Sequence, residues 1–145
     1  MSGQAGRWGS AVVRHAGLDR PADLLADLPG GARLEEVFTP AERVRSARGR
    51  TLQHWAGRLA GKRAVLRLLG LPATPRRLGQ VEVLPRPTRA CRADAACLDG
   101  HPPAVRLTGE LSGLAGAGEH IRLSLSHTAE RALAVALDAQ PEEQR

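Results

Sequence analysis

From Thr51 to Leu69 the chain runs without a proline or an acidic residue, and Gly70 with Pro72 just beyond closes the run. Leu52, Trp55, Ala56, Leu59 and Leu66 recur in it at helical spacing. At about 100° per residue they share one face, centred near Leu52 and Leu59. Arg63 falls inside that apolar face, while Arg58 and Lys62 lie toward its flank, one turn apart. A helix of this length must lay its stripe across another layer, so the rest of the chain has to supply one.

Strands can supply it. Ala11 to Leu18 opens with Ala11, Val12 and Val13 and reads as an N-terminal strand ending at Asp19. Val81–Leu84 and Ala104–Leu107 read as short strands. Ile121, Leu123 and Leu125 alternate with Arg122, Ser124 and Ser126, the period of a half-buried strand, and Ala132–Leu137 returns as its hairpin partner. Shorter helices are expected from Pro21 to Leu28, stopped by Pro29 and two glycines, and after Thr39, where Pro40 and Glu42 complete a capping box. The Gly-rich stretch Glu110–Ala117 reads as a weak helix. Residues 1–9 and 138–145 are expected to fray. The predicted class is α+β, an antiparallel sheet packed against a long central helix. The 145 residues are expected to form a single domain, and no internal repeat is visible.

The net charge is +6, and of 21 basic residues only Lys62 is a lysine. That excess predicts an acidic partner: nucleic acid, an anionic nucleotide cofactor or an acidic protein surface. Trp8, Phe38 and Trp55 are too few aromatics for the stacking platforms of single-strand binders, which leaves nucleic acid as a remote alternative through duplex phosphates. No apolar run is long enough to span a membrane and no secretory signal is visible, so a cytoplasmic protein is expected. Cys91 and Cys97 share a segment with Asp94, Asp99 and His101. Cys91, Cys97 and His101 make a zinc set lacking a local fourth ligand. A local disulfide and two inert thiols are the other readings, and a cytosolic location disfavours the disulfide.

Motifs then accumulate in order along the chain. Gly17-Leu18-Asp19 ends the first strand, Val37–Glu42 reads V-F-T-P-A-E, and Trp55–Gly70 reads W-A-G-R-L-A-G-K-R-A-V-L-R-L-L-G. Gly100–Pro102 precedes a strand, and Leu123–Thr128 reads L-S-L-S-H-T. Together, over roughly residues 11–138, they resemble the holo-acyl-carrier-protein synthase type of 4′-phosphopantetheinyl transferase. The resemblance implies a phosphopantetheinyl transferase-like fold, a homotrimer with sites between subunits, and transfer of the phosphopantetheine arm of coenzyme A to a serine of an acyl carrier protein. It implies magnesium held by the strand aspartate, here Asp19, and by a helix glutamate.

That glutamate is replaced by Arg63, and a later lysine by Arg67. Guanidinium neither ligates magnesium nor accepts a proton at neutral pH, so the usual metal site is broken. Carried over residue by residue, the resemblance assigns Asp19, Lys62, Arg63 and Arg67 to catalysis. It assigns Arg58, Lys62, Ser126, His127 and Thr128 to coenzyme A. Arg20, Arg43, Arg45, Arg48 and Arg50 form a basic cluster suited to an acidic carrier protein. The plainer readings are a helix-capping Asp19, solvated charges at Arg58, Lys62 and the arginine cluster, and a hairpin-turn His127. Two readings of Arg63 stand. Its guanidinium replaces magnesium, pairing with Asp19 or the substrate's pyrophosphate, and transfer continues without metal. Alternatively it plugs the site against Asp19, and the protein is a degenerate homologue that binds a carrier protein or its ligand for another role.

Overall fold

The computed structural model describes residues 7–49, 51–85 and 102–139. Its spine is a helix at Gln53–Leu69, numbered α3 below. It starts where Thr51 Oγ1 accepts the Gln53 amide at 3.2 Å, and it ends on Gly70 at φ 73°, where the Leu71 amide folds back to Leu66 O at 2.9 Å. Strands β1 (Trp8–Arg14), β4 (Ile121–His127) and β5 (Arg131–Asp138) form an antiparallel sheet in the order β1-β5-β4. Val12 faces Leu133 and Leu123 faces Ala136 across the ladders. Ala132, Ala134 and Ala136 line the inner side of the central strand, all essentially buried. These small side chains let α3 lie close to the sheet. At Gly9 of β1 the approach is closer still: a Cβ there would meet the backbone of Ala64 and Leu68.

Strands β2 (Val81–Pro85) and β3 (Pro103–Leu107) pair antiparallel in a separate two-stranded sheet. The expected single sheet is thus divided. Helices α2 (Pro40–Ser46) and α4 (Pro75–Gly79) pack against β2, and successive β2 residues Val81, Glu82 and Val83 are all buried. Helix α3 is therefore covered nearly all round, and its Arg58–Lys62 flank lies inside the molecule rather than in solvent. Phe38 meets Trp55 edge-to-face at 5.2 Å on this side.

Other local expectations shift. Trp8, Gly9 and Asp138, read as fraying ends, are strand residues, and β1 ends at Arg14 rather than Leu18. There the amides of His15 and Ala16 both turn to Glu130 O, at 2.8 and 3.1 Å, and the ladder stops. The segment after Pro21 is a short 3₁₀ turn, Pro21–Leu25. The stretch read as a weak helix is two 3₁₀ turns, Gly109–Leu111 and Ala115–Gly118, with Ala115 and Ala117 at φ 45° and 58°, which no regular helix contains. Helix α2 has the expected capping box, Thr39 Oγ1 accepting the Glu42 amide and Glu42 accepting the Thr39 amide. Helices α1 (Leu34–Val37) and α4 were not anticipated. The candidate zinc residues Cys91, Cys97 and His101, and Arg50 of the basic cluster, lie outside the described residues.

Candidate functional site

Lys62 is wholly buried. Its ammonium donates to Leu78 O at 2.9 Å and Val81 O at 2.6 Å and pairs with Glu42 at 2.7 Å, using all three donors. Glu42, equally buried, also accepts the Val83 amide at 2.6 Å. Burial pulls the Lys62 pKa down and the Glu42 charge opposes that shift. The ammonium sits 5.4 Å from the Phe38 ring centroid. The sequence reading put Lys62 in a ligand site; in the structure its ammonium is taken up by Glu42 and two carbonyls, and Lys62 fastens α2, α4 and β2 to the central helix. Arg67 is likewise engaged within the fold, its guanidinium donating to Ser10 O of β1 at 2.7 Å.

That clasp positions Arg58. Its Nε donates to Val83 O and one terminal nitrogen to Ser46 Oγ, both at 3.0 Å, so β2 and α2 hold the guanidinium from two sides. Burial lowers its pKa, yet a guanidinium starts high enough to stay charged. Arg58 lines a cavity of about 410 Å³ together with Gln53, His54, Leu125, Ser126 and His127. Three sequence candidates, Arg58, Ser126 and His127, therefore converge. Gln53 and His54, which sequence reasoning missed, join them. The Gln53 side-chain amide lies within hydrogen-bond distance of His127 Nε2, at 2.9 Å. Burial, then the nearby charges of Arg58 and His127, lower the His54 pKa. His54 precedes Arg58 by one helical turn, a spacing that could have flagged it. Thr128 closes the β4–β5 turn instead, its hydroxyl accepting the amides of Glu130 and Arg131 at 3.1 and 3.2 Å.

Asp19 is exposed and lines a second cavity, of about 580 Å³, with His15, Leu18, Thr51, Leu52 and Gln53. Gln53 borders both this cavity and the first. Leu18 in turn borders a third, of about 240 Å³, which holds Arg63, Arg14, Asp23 and Asp27. Arg63 pairs there with Asp27, at 3.1 and 3.4 Å, and not with Asp19 as the sequence suggested. The two side chains come from segments 36 residues apart, which no local pattern reveals. Among the described residues no group of three His, Cys, Asp or Glu side chains stands close enough to hold a metal ion. A lone carboxylate at Asp19 does not fit magnesium.

Within the basic cluster, Arg45 and Arg48 are exposed. Arg43 donates to Phe38 O at 2.9 Å, and Arg20 pairs with Asp23 at 3.5 Å. Asp23 also accepts the Arg20 and Asp19 amides, and these bonds, the Arg20 amide foremost, hold its carboxyl below the usual carboxylate range. No described helix is long and apolar enough to cross a membrane.

No protein-family model matches the chain, and no curated protein sequence does. Solved structures do. The ACPS–CoA complex from Chronobacterium ammoniagenes is 27% identical, with a TM-score of 0.62, covering 95% of this chain and 100% of that one. The apo form from the same organism is 26% identical, with a TM-score of 0.60 and 92% and 95% coverage. An acyl carrier protein synthase from Mycobacterium tuberculosis shares the fold at 22% identity and a TM-score of 0.55, over 92% of this chain and 96% of that one. In fold, and over nearly its whole described length, the chain is similar to the holo-acyl-carrier-protein synthases.

Proposed function

We propose that the protein transfers 4′-phosphopantetheine from coenzyme A to a serine of an acyl carrier protein. The observation that carries this reading is the convergence of Arg58, Ser126 and His127 on one cavity, in a chain whose fold resembles that of a synthase solved with CoA. A buried, pre-oriented guanidinium beside two imidazoles suits a phosphate monoester, and that cavity is assigned to the nucleotide end of coenzyme A.

In the transfer, the serine oxygen attacks the phosphorus that bears the pantetheine arm. The bond from that phosphorus to the bridging oxygen breaks, and adenosine 3′,5′-bisphosphate leaves with the bond's electron pair. The serine proton passes to a base, for which Asp19, exposed in the neighbouring cavity, is the available carboxylate. Arg45 and Arg48, exposed near the start of α3, are the cations offered to the acidic carrier protein. Self-association as a trimer is supported by the outer face of the three-stranded sheet. Trp8, Val12, Leu133, Val135 and Leu137 lie there side by side, 39–61% exposed.

Intact-mass spectrometry tests the proposal. An apo carrier protein incubated with coenzyme A and this protein gains the mass of one phosphopantetheine, and Arg58→Gln slows the gain at least about tenfold. The second reading, a carrier-binding homologue without activity, is favoured by the Arg63–Asp27 pair. Its signature is a salt-sensitive complex with the carrier protein and no mass gain.

A further inference from the structure

His127 is the last residue of β4 and is exposed. Among the described residues its ring has a single hydrogen-bond partner, the side-chain amide of Gln53, 2.9 Å from Nε2 and 74 residues away in the chain. Gln53 is the first residue of α3, where Thr51 Oγ1 accepts its backbone amide at 3.2 Å. A neutral hydrogen bond open to solvent adds little to stability. The contact is therefore not what holds α3 to the sheet, a task met by packing on the buried alanines of β5. What it fixes is the direction of a ring. An exposed side chain changes rotamer within picoseconds to nanoseconds unless something restrains it. Arg58, on the same cavity, is already pinned by Val83 O and Ser46 Oγ; His127 has Gln53 alone. Gln53 is also the one residue common to the lining of this cavity and that of the cavity holding Asp19.

We propose that Gln53 is a positioning residue for the nucleotide and acts through His127. Its amide N–H donates to Nε2, the ring proton lies on Nδ1, and Nδ1–H is the donor that meets the phosphate monoester beside Arg58. The proposal rests on the transferase reading, which assigns that cavity to the nucleotide end of coenzyme A. Without the amide the ring turns freely and either nitrogen carries the proton. The order that binding requires must then be made at binding, and affinity falls.

Gln53→Met keeps the length of the side chain and removes the amide. Calorimetric titration of the full chain with adenosine 3′,5′-bisphosphate, for the parent protein, Gln53→Met, His127→Asn and the double variant, forms a cycle. Gln53→Met should weaken binding about fivefold, and His127→Asn about tenfold. In the His127→Asn background the same Gln53→Met change should cost less than about twofold, because its effect passes through the ring. In transfer to an apo carrier protein, Gln53→Met should raise the KM for coenzyme A about fivefold and leave kcat within about twofold. Its unfolding midpoint should stay within about 2 °C of the parent protein's. The proposal is overturned by parental affinity in Gln53→Met, by a fivefold loss that persists without His127, or by a fall in kcat at unchanged KM. Should the parent protein not bind the bisphosphate, the transferase reading itself falls, and the role of Gln53 with it.

Discussion

Replacing Lys62 with methionine tests whether the centre of the molecule is held as described. The substitution keeps the length of the side chain and removes its charge. Glu42 would retain the Thr39 and Val83 amides at 2.9 and 2.6 Å but lose its ion-pair partner, and Leu78 O and Val81 O would lose their shared donor. Breaking one side of a buried pair costs about 3–5 kcal/mol. For a domain of this size that is a fall in Tm of roughly 6–20 °C, at some 2–4 °C per kcal/mol. The double variant Lys62→Met/Glu42→Gln removes the stranded charge and should recover about 1–2 kcal/mol. Urea unfolding of the parent, both single variants and the double variant gives the cycle. A Lys62→Met loss below about 1 kcal/mol would refute the reasoning, since only a solvated lysine gives so little up.

Gly9→Ala should destabilise the fold by about 1–3 kcal/mol, because the new methyl meets helix backbone that cannot step aside; urea unfolding reads it. Binding of adenosine 3′,5′-bisphosphate should take up a proton at His54. Burial and the charges of Arg58 and His127 hold its pKa below the ordinary value in the free protein, and a bound phosphate raises it. Affinity relative to His54→Gln should therefore rise as pH falls from about 8 to 6, and a flat ratio contradicts the assignment. Val135→Glu places a charge amid the exposed apolar sheet face. Sedimentation should show the parent protein as an oligomer and the variant as a monomer, and a monomeric parent would retire the trimer.

The central helix, its Gly70 stop, the Thr39–Glu42 capping box and the β4–β5 hairpin are legible in the sequence because each is a local pattern: a period, a cap, an alternation. The helix wheel failed at Lys62 and Arg58. It assumes one apolar face, and α3 is covered on nearly all of its faces. Which side chains satisfy those buried cations is a matter of tertiary geometry: Glu42 and two carbonyls for Lys62, Ser46 and Val83 O for Arg58. The S-H-T motif led to His127 and Ser126 at the first cavity, but it says nothing of Gln53, which reaches His127 from 74 residues away. Asp27 carries no motif at all. It enters the account only because the turn after β1 folds over the helix face that holds Arg63.

Arg63 stands where the resemblance calls for a metal-bound carboxylate, and the proposed transfer requires that activity survive the exchange. Initial rates of phosphopantetheine transfer to an apo carrier protein, measured with chelator and again with magnesium, test it directly for the parent protein and for Arg63→Glu. The parent protein should transfer at rates within about twofold of each other in the two conditions, and Arg63→Glu, which restores the carboxylate that the resemblance calls for, should require magnesium. A parent protein that is inert in both, while Arg63→Glu with magnesium is active, would contradict the claim and leave the chain a synthase in shape alone.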